Sequence, residues 1–217
     1  MSLSIASDVK QLSKKIASQY RRQIPYVTSR ALNNTAFSCR KVVQAALPKY
    51  IDRPTPYTMR SVQVKKSDKK NLNAYIGFAS KTFGKLPGNA SIPPAEYMKR
   101  LIVGSVRKAR SKYIAIPSSP RQLNKFGGLK RGAVSRLLSN KKKYFLGRPN
   151  GHEHWGFGVW ARVGKKGRGN IQKVIKFAKE TQYDKQFPFN HIVMKEIKKV
   201  FQREFKKEFL QAVQPKR

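Results

Sequence analysis

Charge is the feature that most constrains how this chain can fold and what it can meet. Its 217 residues include 48 Lys and Arg but 10 Asp and Glu, which gives a formal net charge of +38 at pH 7. A compact domain with so much like charge repels itself unless counterions, phosphates or acidic protein surfaces neutralise it. We therefore expect the chain to bind an anionic partner.

The rest of the composition predicts a folded protein and not a disordered basic tail. Hydrophobic residues make up 39% of the chain and aromatic residues 11%, which is more core-forming material than chains too polar to collapse contain. The length suits one domain with an insertion. We expect an N-terminal helix at 7–23, a core formed by about 25–78 and 144–213, and a basic insertion at about 79–143.

Cysteine use and hydropathy indicate a protein that is neither secreted nor inserted in a membrane. Cys39 is the single cysteine, so an internal disulfide is excluded, and we expect a small buried apolar residue there. No stretch reaches the roughly 20 apolar residues of a membrane span. The N-terminus lacks the basic and then apolar order of a secretory signal.

Apolar spacing predicts two helices in the first part of the chain. One begins near the cap residue Ser7 and stops before Pro25, and the second runs from about Thr28 to Leu47, where Pro48 ends it. The apolar stripe of the second helix consists of Leu32, Ala36, Cys39, Val43, Ala46 and Leu47.

A proline-rich corner and a hairpin follow. Asp52 is expected to pair with Arg53, and Thr55 to cap a helical turn that begins at Pro56. Alternating apolar residues at 62–64 and 72–78, separated by a polar turn at 67–71, then predict a β-hairpin.

The middle of the chain is the most one-sided in charge. Between Tyr97 and His152 there are 15 Lys or Arg and no Asp or Glu. A loop at 79–95 leads to a helix around Met98, and a short strand at 113–116 and a short helix at 134–138 are expected beyond it. We predict that this segment is the main surface for contact with anions.

A second sheet and a long helix close the chain. Strands are predicted at 144–146, 155–163 and 174–177, with a flexible basic tip at 164–169. The last helix should begin at Asn190 as N-cap and bury a stripe of Val193, Ile197, Phe201, Phe205 and Phe209. The predicted fold class is α+β, with an antiparallel sheet packed against an N-terminal helix and a long C-terminal helix.

The residues argue against an enzyme, a cofactor or a metal centre. His152, Glu153 and His154 form a tight group that, on a strand, offers two histidines on one face, but a zinc site needs at least three ligands at matched spacing. Carboxylates are scattered singly, whereas two-metal nucleases need several together. Glu196, Glu204 and Glu208 are better explained as partners in i,i+4 pairs on the last helix. A nuclease that uses His152, Glu153 and His154 stays a minor alternative.

Contact with nucleic acid, if it occurs, should be made to phosphates without regard to sequence, because no base-reading motif is present. The tip at 164–169 lacks the Lys-Ser or Lys-Thr ending of a phosphate-binding loop. Trp155 and Trp160 are candidates for a subunit interface. The candidate contacts to DNA or an acidic partner are Arg107, Lys108, Arg110, Lys112, Lys130, Arg131, Lys141, Lys142, Lys143, Arg148, Lys165, Lys166 and Arg168.

Two stretches resemble tailed-phage proteins of the minor tail protein Z type. The first is the run from Ser29 to Arg40, followed by the corner at 53–60 and the strand at 62–64. The second is the strand at 158–163, followed by the strand near 174–177 and the long basic C-terminal helix. The resemblance covers about 27–78 and 144–213 and consists of order and pattern, with no catalytic signature.

This resemblance implies a tail-completion or neck protein located in the virion, where the head joins the tail, after assembly in the host cytoplasm. Its partners would be other tail or neck proteins, with a homo-oligomeric ring of six copies expected from the family. A basic surface facing DNA in such a ring would lower the repulsion between phosphates. The main alternative is a free, sequence-nonspecific nucleic-acid-binding protein of the ribosomal or DNA-packaging type.

Overall fold

The protein is a mixed α+β structure with antiparallel sheets, an N-terminal helix and a long C-terminal helix, as the sequence predicts. A computed structural model describes residues 5–87, 92–151, 153–164 and 170–213. The helices are α1 (Ile5–Tyr50), α2 (Pro56–Arg60), α3 (Pro94–Val103), α4 (Ala133–Ser139) and α5 (Phe189–Val213). The strands are β1 (Val62–Lys65), β2 (Tyr75–Phe78), β3 (Ser105–Lys108), β4 (Ile114–Pro117), β5 (Tyr144–Gly147), β6 (Gly158–Val163), β7 (Asn170–Ala178) and β8 (Glu180–Tyr183).

The chain divides into two compact units. The first unit comprises residues 1–49, 56–98 and 188–217, and the second comprises 50–55 and 99–187. These boundaries differ from those of the predicted insertion at 79–143, because β4 lies within that segment yet pairs with β7. The arrangement as one domain with an insertion stays a prediction.

In place of the two helices predicted from the sequence, the N-terminal region forms one long helix. The helix α1 runs through Pro25 and ends at Tyr50, three residues beyond the predicted end. Proline removes one hydrogen bond to the carbonyl group four residues earlier. That carbonyl group belongs to Arg21, which is exposed, so water can reach this part of the helix. The expected helix at 7–23 is thus the first part of α1.

The buried face of α1 follows the predicted stripe. Ala36, Cys39, Val43 and Leu47 are buried, and Val27 and Ala31 extend the same face toward the N-terminus. A polar network also lies on α1: Ser29 Oγ donates to the carbonyl oxygen of Ser67 at 3.1 Å, and the Ser67 N–H donates to Asn33 Oδ1 at 2.8 Å. These bonds fix the turn after β1, because a buried polar group without a partner is costly.

The predicted hairpin is present in the first unit. The strands β1 and β2 pair antiparallel, with Val62 opposite Phe78 and Val64 opposite Ile76. The helix α2 begins at Pro56, as the proline-rich corner predicts.

The carboxylates of α5 contact α1, which corrects the expectation of i,i+4 pairs along α5. Glu196 accepts a hydrogen bond from Ser38 Oγ at 2.6 Å. Glu208 is 5% exposed and accepts from Arg30 Nε at 2.6 Å and from Asn34 Nδ2 at 3.0 Å. A shared network with α1 therefore replaces solvent-exposed pairing.

The start of α5 also differs from the prediction. The helix begins at Phe189, and Asn190 is its second residue and not its N-cap. The Pro188 carbonyl oxygen accepts from the Ile192 N–H at 3.1 Å, which places the first helical hydrogen bond earlier. Val193 and Val200 are the buried apolar residues of α5.

The second unit is built around a four-stranded antiparallel sheet of order β4-β7-β6-β5. Its core consists of Leu137 from α4 and of Val159, Ala161, Val174 and Ile175 from the central strands. All three strands predicted for this region are present. A separate two-stranded sheet pairs β3 with β8, and short polar strands of this kind carry too little apolar alternation to be predicted from the sequence.

No helix in the part of the chain that the structure describes is long and apolar enough to cross a membrane.

Candidate polyanion-binding site

A cavity of about 460 Å³ opens at one end of the four-stranded sheet in the second unit. Three cationic side chains line it, those of Arg121, Lys143 and Arg162, and none of the described residues that line it is acidic. The remaining lining residues are Ser119, Gln122, Tyr144, Ala161, Val163, Gly164, Gln172 and Val174. We refer to this cavity as the basic pocket.

The sheet supplies the floor of the basic pocket. Tyr144, Ala161 and Gln172 form one row across three strands, since Ala161 pairs with Tyr144 on β5 and with Gln172 on β7. Ala161 and Val174 belong to the apolar core of the unit. The basic pocket therefore lies at the edge of that apolar core, where the lining residues become polar.

A segment after β4 supplies the wall. The Ser118 N–H donates to the Val174 carbonyl oxygen at 2.9 Å, which ties the segment to β7. Residues Pro120–Gln122 then form a single 3₁₀ turn. Lys130 Nζ donates to the Arg121 carbonyl oxygen at 2.8 Å, so the turn that holds Arg121 is braced by a second cation.

Arg162 is fixed by contacts of its backbone and of its guanidinium. Its N–H donates to the Lys143 carbonyl oxygen at 2.8 Å. Its Nη1 donates to the carbonyl oxygens of Lys141 and Lys142 at 3.0 and 3.2 Å. Its guanidinium carbon lies 4.7 Å from the centre of the Phe145 ring. A guanidinium held in this way loses little conformational entropy when it binds an anion.

The three consecutive lysines, Lys141 to Lys143, form the turn that leads into β5. Asn140 anchors the turn, because its carbonyl oxygen accepts from the Lys143 and Tyr144 N–H groups at 3.2 and 2.9 Å. All three lysines are exposed. The carbonyl groups of the turn serve the fold by binding Arg162, and the lysine side chains stay available to a ligand.

These features suit a phosphate backbone better than a small apolar ligand. Hydrogen-bond donors surround this concave surface on several sides. They belong to the Arg and Lys residues, one serine and two glutamines of the lining. Phosphates are bound by such sets, and contacts of this kind carry no sequence preference. The chemistry available is therefore binding and charge neutralisation.

The structure brings together four of the predicted contact residues and separates others. Lys130, Lys141, Lys142 and Lys143 surround the basic pocket, either in its lining or through Arg121 and Arg162. The remaining predicted contacts that the structure describes lie elsewhere in the second unit, and they are Arg107, Lys108, Arg110, Lys112, Arg131 and Arg148.

Two of those cations, Arg107 and Lys108, belong to β3 of the two-stranded sheet. Arg107 is partly buried and its Nη1 donates to Tyr183 Oη at 3.4 Å. Lys108 is exposed and lies opposite Glu180 in the register of β3 with β8. Lys165, Lys166 and Arg168 lie outside the described residues.

The two tryptophans proposed for a subunit interface differ in exposure. Trp160 is 2% exposed, and its Nε1 donates to the Gly147 carbonyl oxygen at 3.0 Å. Trp155 stacks on it with ring centres 5.5 Å apart and is partly exposed. Of the two tryptophans, Trp155 is therefore the one that a partner subunit could contact. A role of the pair in an interface stays a prediction.

Sequence reasoning missed Arg121 and Arg162, the two arginines that line the basic pocket. Arg162 lies at the end of β6, beyond the apolar part of the strand, and Arg121 follows a proline in a short turn. The position of Arg162 could have been predicted from the sequence. Arg162 lies at the end of a predicted strand, and antiparallel pairing with the preceding strand places its side chain beside the lysines that precede that strand.

The predicted metal-ligand group falls partly outside the described residues. His152 lies outside them, and Glu153–Trp155 form a 3₁₀ turn. The predicted strand at 155–163 therefore begins later, at Gly158. Across the described residues, no group of three or more His, Cys, Asp or Glu side chains comes together.

Cys39 is buried, and burial raises the pKa of its thiol to about 11, with the Glu196 carboxylate adding to the effect.

No family model matches the chain, and neither the curated proteins nor the solved structures contain a match to it.

Proposed function

We propose that this chain is a structural, non-enzymatic protein of the head-tail junction of a tailed phage, which completes the tail and helps to join it to the head. The basic pocket and the lysine turn beside it would contact packaged DNA or an acidic neighbouring subunit. The resemblance to minor tail proteins of the Z type motivates the location. The element order agrees with it: a hairpin follows the proline-rich corner, and strands followed by a long helix end the chain.

The observation that carries the proposal is the set of cations in the basic pocket. Arg121, Lys143 and Arg162 line one concavity without any described carboxylate among its lining residues. Ion pairing inside the protein does not account for the excess of cations. The sequence has 48 Lys and Arg but 10 Asp and Glu, so most of its cations have no carboxylate of the same chain to pair with. The pairs that the structure describes include Arg30 with Glu208, Arg53 with Asp52 and Arg203 with Glu204.

The physical role follows from polyelectrolyte behaviour. DNA that passes through a ring of protein is a dense polyanion, and each phosphate that a Lys or Arg neutralises releases a bound counterion. Copies of the basic pocket arranged around such a ring would stabilise the DNA without selecting a sequence. A closed ring also requires a heterologous interface, for which the partly exposed Trp155 is a candidate.

Charge reversal in the lysine turn tests this proposal. The triple change Lys141→Glu, Lys142→Glu and Lys143→Glu alters exposed side chains while it keeps the carbonyl groups that bind Arg162. We expect complementation with this variant to yield separate heads and tails, with infectious titre reduced by orders of magnitude and a normal circular dichroism spectrum.

A matched control carries the same charge change on another exposed surface. Lys198, Lys206 and Lys207 are exposed on α5, and their change to Glu should leave joining largely intact. Normal infectious particles from the lysine-turn variant, or equal impairment of both variants, would refute the proposed role of the basic pocket.

The second candidate function is a free nucleic-acid-binding protein. The observation in its favour is that the basic pocket needs no ring to bind a phosphate backbone, since its cations come from one chain. Purified protein that binds DNA as a monomer, and that is absent from virions, would favour this alternative.

A further inference from the structure

The first unit contains a basic cavity of its own, which the proposed function does not use. Its volume is about 400 Å³. The described residues that line it include three cations and no carboxylate, and they are Arg40, Arg60, Gln63, Lys85, Leu86 and Pro87. We call it the second basic cavity.

Three separate elements bring these cations together. Arg40 lies on α1, Arg60 is the last residue of α2, and Lys85 lies in the loop after β2. Bringing like charges together raises the electrostatic free energy of the folded state, because the charges repel one another. An anion bound in the second basic cavity would offset this repulsion.

The loop that carries Lys85 is held in a defined shape. The Ser80 N–H donates to the Phe83 carbonyl oxygen, and the Phe83 N–H donates to Ser80 Oγ, both at 2.9 Å. Gly84 has φ +68°, and a Cβ there would come within 2.8 Å of Gln63 side-chain carbons. The loop therefore packs closely on β1, and Lys85 is placed beside Arg60 and Gln63 by local structure.

One donor in this cavity wall has no acceptor. Arg40 Nε is buried and forms no hydrogen bond in the described structure. Buried donors of charged groups are nearly always paired, because an unpaired one retains its full desolvation cost. An oxyanion bound beside the Arg40 guanidinium would offset this desolvation cost.

We propose that the second basic cavity binds a phosphate group, either as free phosphate or as part of a nucleic-acid backbone. Donors converge from three elements, which suits a tetrahedral anion with several acceptor oxygens, whereas a planar carboxylate is satisfied by a single arginine fork. The volume of the cavity, about 400 Å³, exceeds that of one phosphate group. This site is independent of the basic pocket, which lies in the second unit.

Nuclear magnetic resonance of the full chain tests the proposal directly. Inorganic phosphate is titrated into ¹⁵N-labelled protein at about 0.15 M chloride, where weak surface attraction is screened, and the Nε–Hε signal of Arg40 is followed. We expect a saturable shift of that signal. Lys85→Gln should weaken binding about tenfold, since it removes one charge-assisted contact.

Lys81→Gln is the matched control, because Lys81 is exposed in the same loop and does not line the cavity. It should change the affinity by less than about twofold. A non-saturating shift, or equal weakening by Lys81→Gln and Lys85→Gln, would overturn the proposal in favour of general attraction to a basic surface.

Two further probes identify the source of the phosphate. Dimethyl phosphate mimics the nucleic-acid backbone, and binding close to that of inorganic phosphate would support a backbone contact. Binding of inorganic phosphate alone would support a free phosphate. A hexaglutamate peptide that binds more tightly than either would contradict the phosphate assignment and indicate an acidic protein partner.

Discussion

At the residue scale, burial gives individual side chains properties that their types alone do not indicate. Cys39 is 1% exposed on α1, and its Sγ donates weakly to the Val193 carbonyl oxygen at 3.9 Å. A thiol in this setting is a packing residue, because the thiolate is the reactive form and burial disfavours it.

The raised pKa of Cys39 predicts both its reactivity and a pH effect. The fold keeps the thiol protonated up to about pH 11, whereas the unfolded thiol ionises at lower pH. Its contribution to stability is therefore complete below the unfolded pKa and disappears as pH rises through about 11. At about pH 8, below the ordinary pKa of a thiol, alkylation by iodoacetamide should be slow in buffer and rapid in urea, as mass spectrometry would measure. Rapid stoichiometric labelling of the folded protein would contradict this account.

Glu208 is a buried carboxylate of α5 that contacts α1. Glu208→Ala should lower the free energy of unfolding by about 1–3 kcal/mol, because Arg30 Nε loses its buried acceptor and Asn34 Nδ2 retains the longer of its two bonds, to Glu204 Oε2 at 3.4 Å. Glu208→Gln should cost less, since its amide oxygen still accepts one of these bonds. Urea denaturation measures both values.

Asp184→Ala provides the control for that comparison, because Asp184 is exposed and its removal should change stability by less than about 0.5 kcal/mol. If Glu208→Ala lowered the free energy of unfolding no more than Asp184→Ala, the bonds of Glu208 with α1 would contribute nothing to stability.

At the scale of elements, β6 and β7 of the second unit approach each other closely at Gly158. Gly158 is buried, and a Cβ at this position would clash with the Ile175 carbonyl oxygen. Gly158→Ala should therefore force the strands apart and lower the melting temperature by several degrees, in line with about 1–3 kcal/mol for overpacking in a core.

Gly128→Ala is the matched control in the same unit. Its added Cβ would lie 3.4 Å from Asn124 Nδ2, at the border of ordinary van der Waals contact. Differential scanning calorimetry should find a much smaller change than for Gly158→Ala. A Gly158→Ala protein as stable as the wild type would contradict the observed register of β6 with β7.

The elements that sequence reasoning predicted well are those with a strong apolar period. The hairpin of β1 and β2, the strands β5 to β7 and the helix α5 all bury alternating or helically spaced apolar residues. The short polar pair of β3 and β8 was missed because its pairing is non-local and lacks that pattern. Pro25 was misinterpreted as a helix end, since tertiary context overrides local propensity.

The candidate site was predicted in part. A run of like charge located Lys141 to Lys143, because composition alone identifies such a segment. Arg121 and Arg162 were missed because they lie far apart in sequence and converge through strand pairing and a turn beside β4. Convergence of this kind depends on tertiary structure, which spacing along the chain does not encode.

At the scale of the whole molecule, the net charge of +38 should make association with DNA depend on salt. The affinity for duplex DNA should fall steeply with salt, with a log-log slope of about −0.9 per phosphate neutralised. Changing Arg121, Lys143 and Arg162 together to Gln should reduce the magnitude of this slope by about 0.9 for each phosphate that these side chains neutralise in the wild type. Fluorescence anisotropy across a salt series measures it.

The control for the slope is the triple change of Lys198, Lys206 and Lys207 to Gln, which removes the same charge from α5. Its slope should stay closer to that of the wild type. Identical slopes for the two triple variants would mean that net charge alone, without the basic pocket, governs binding to DNA.

We propose that this chain occupies the head-tail junction with its basic pocket directed toward a polyanion. Cryo-electron microscopy of tailed particles from the genome that encodes it would locate the chain and its basic pocket. We expect a ring of copies at the junction, with Arg121, Lys143 and Arg162 facing DNA or an acidic neighbour. Particles that contain no copy of the chain, or a ring with the basic pocket facing bulk solvent, would contradict it.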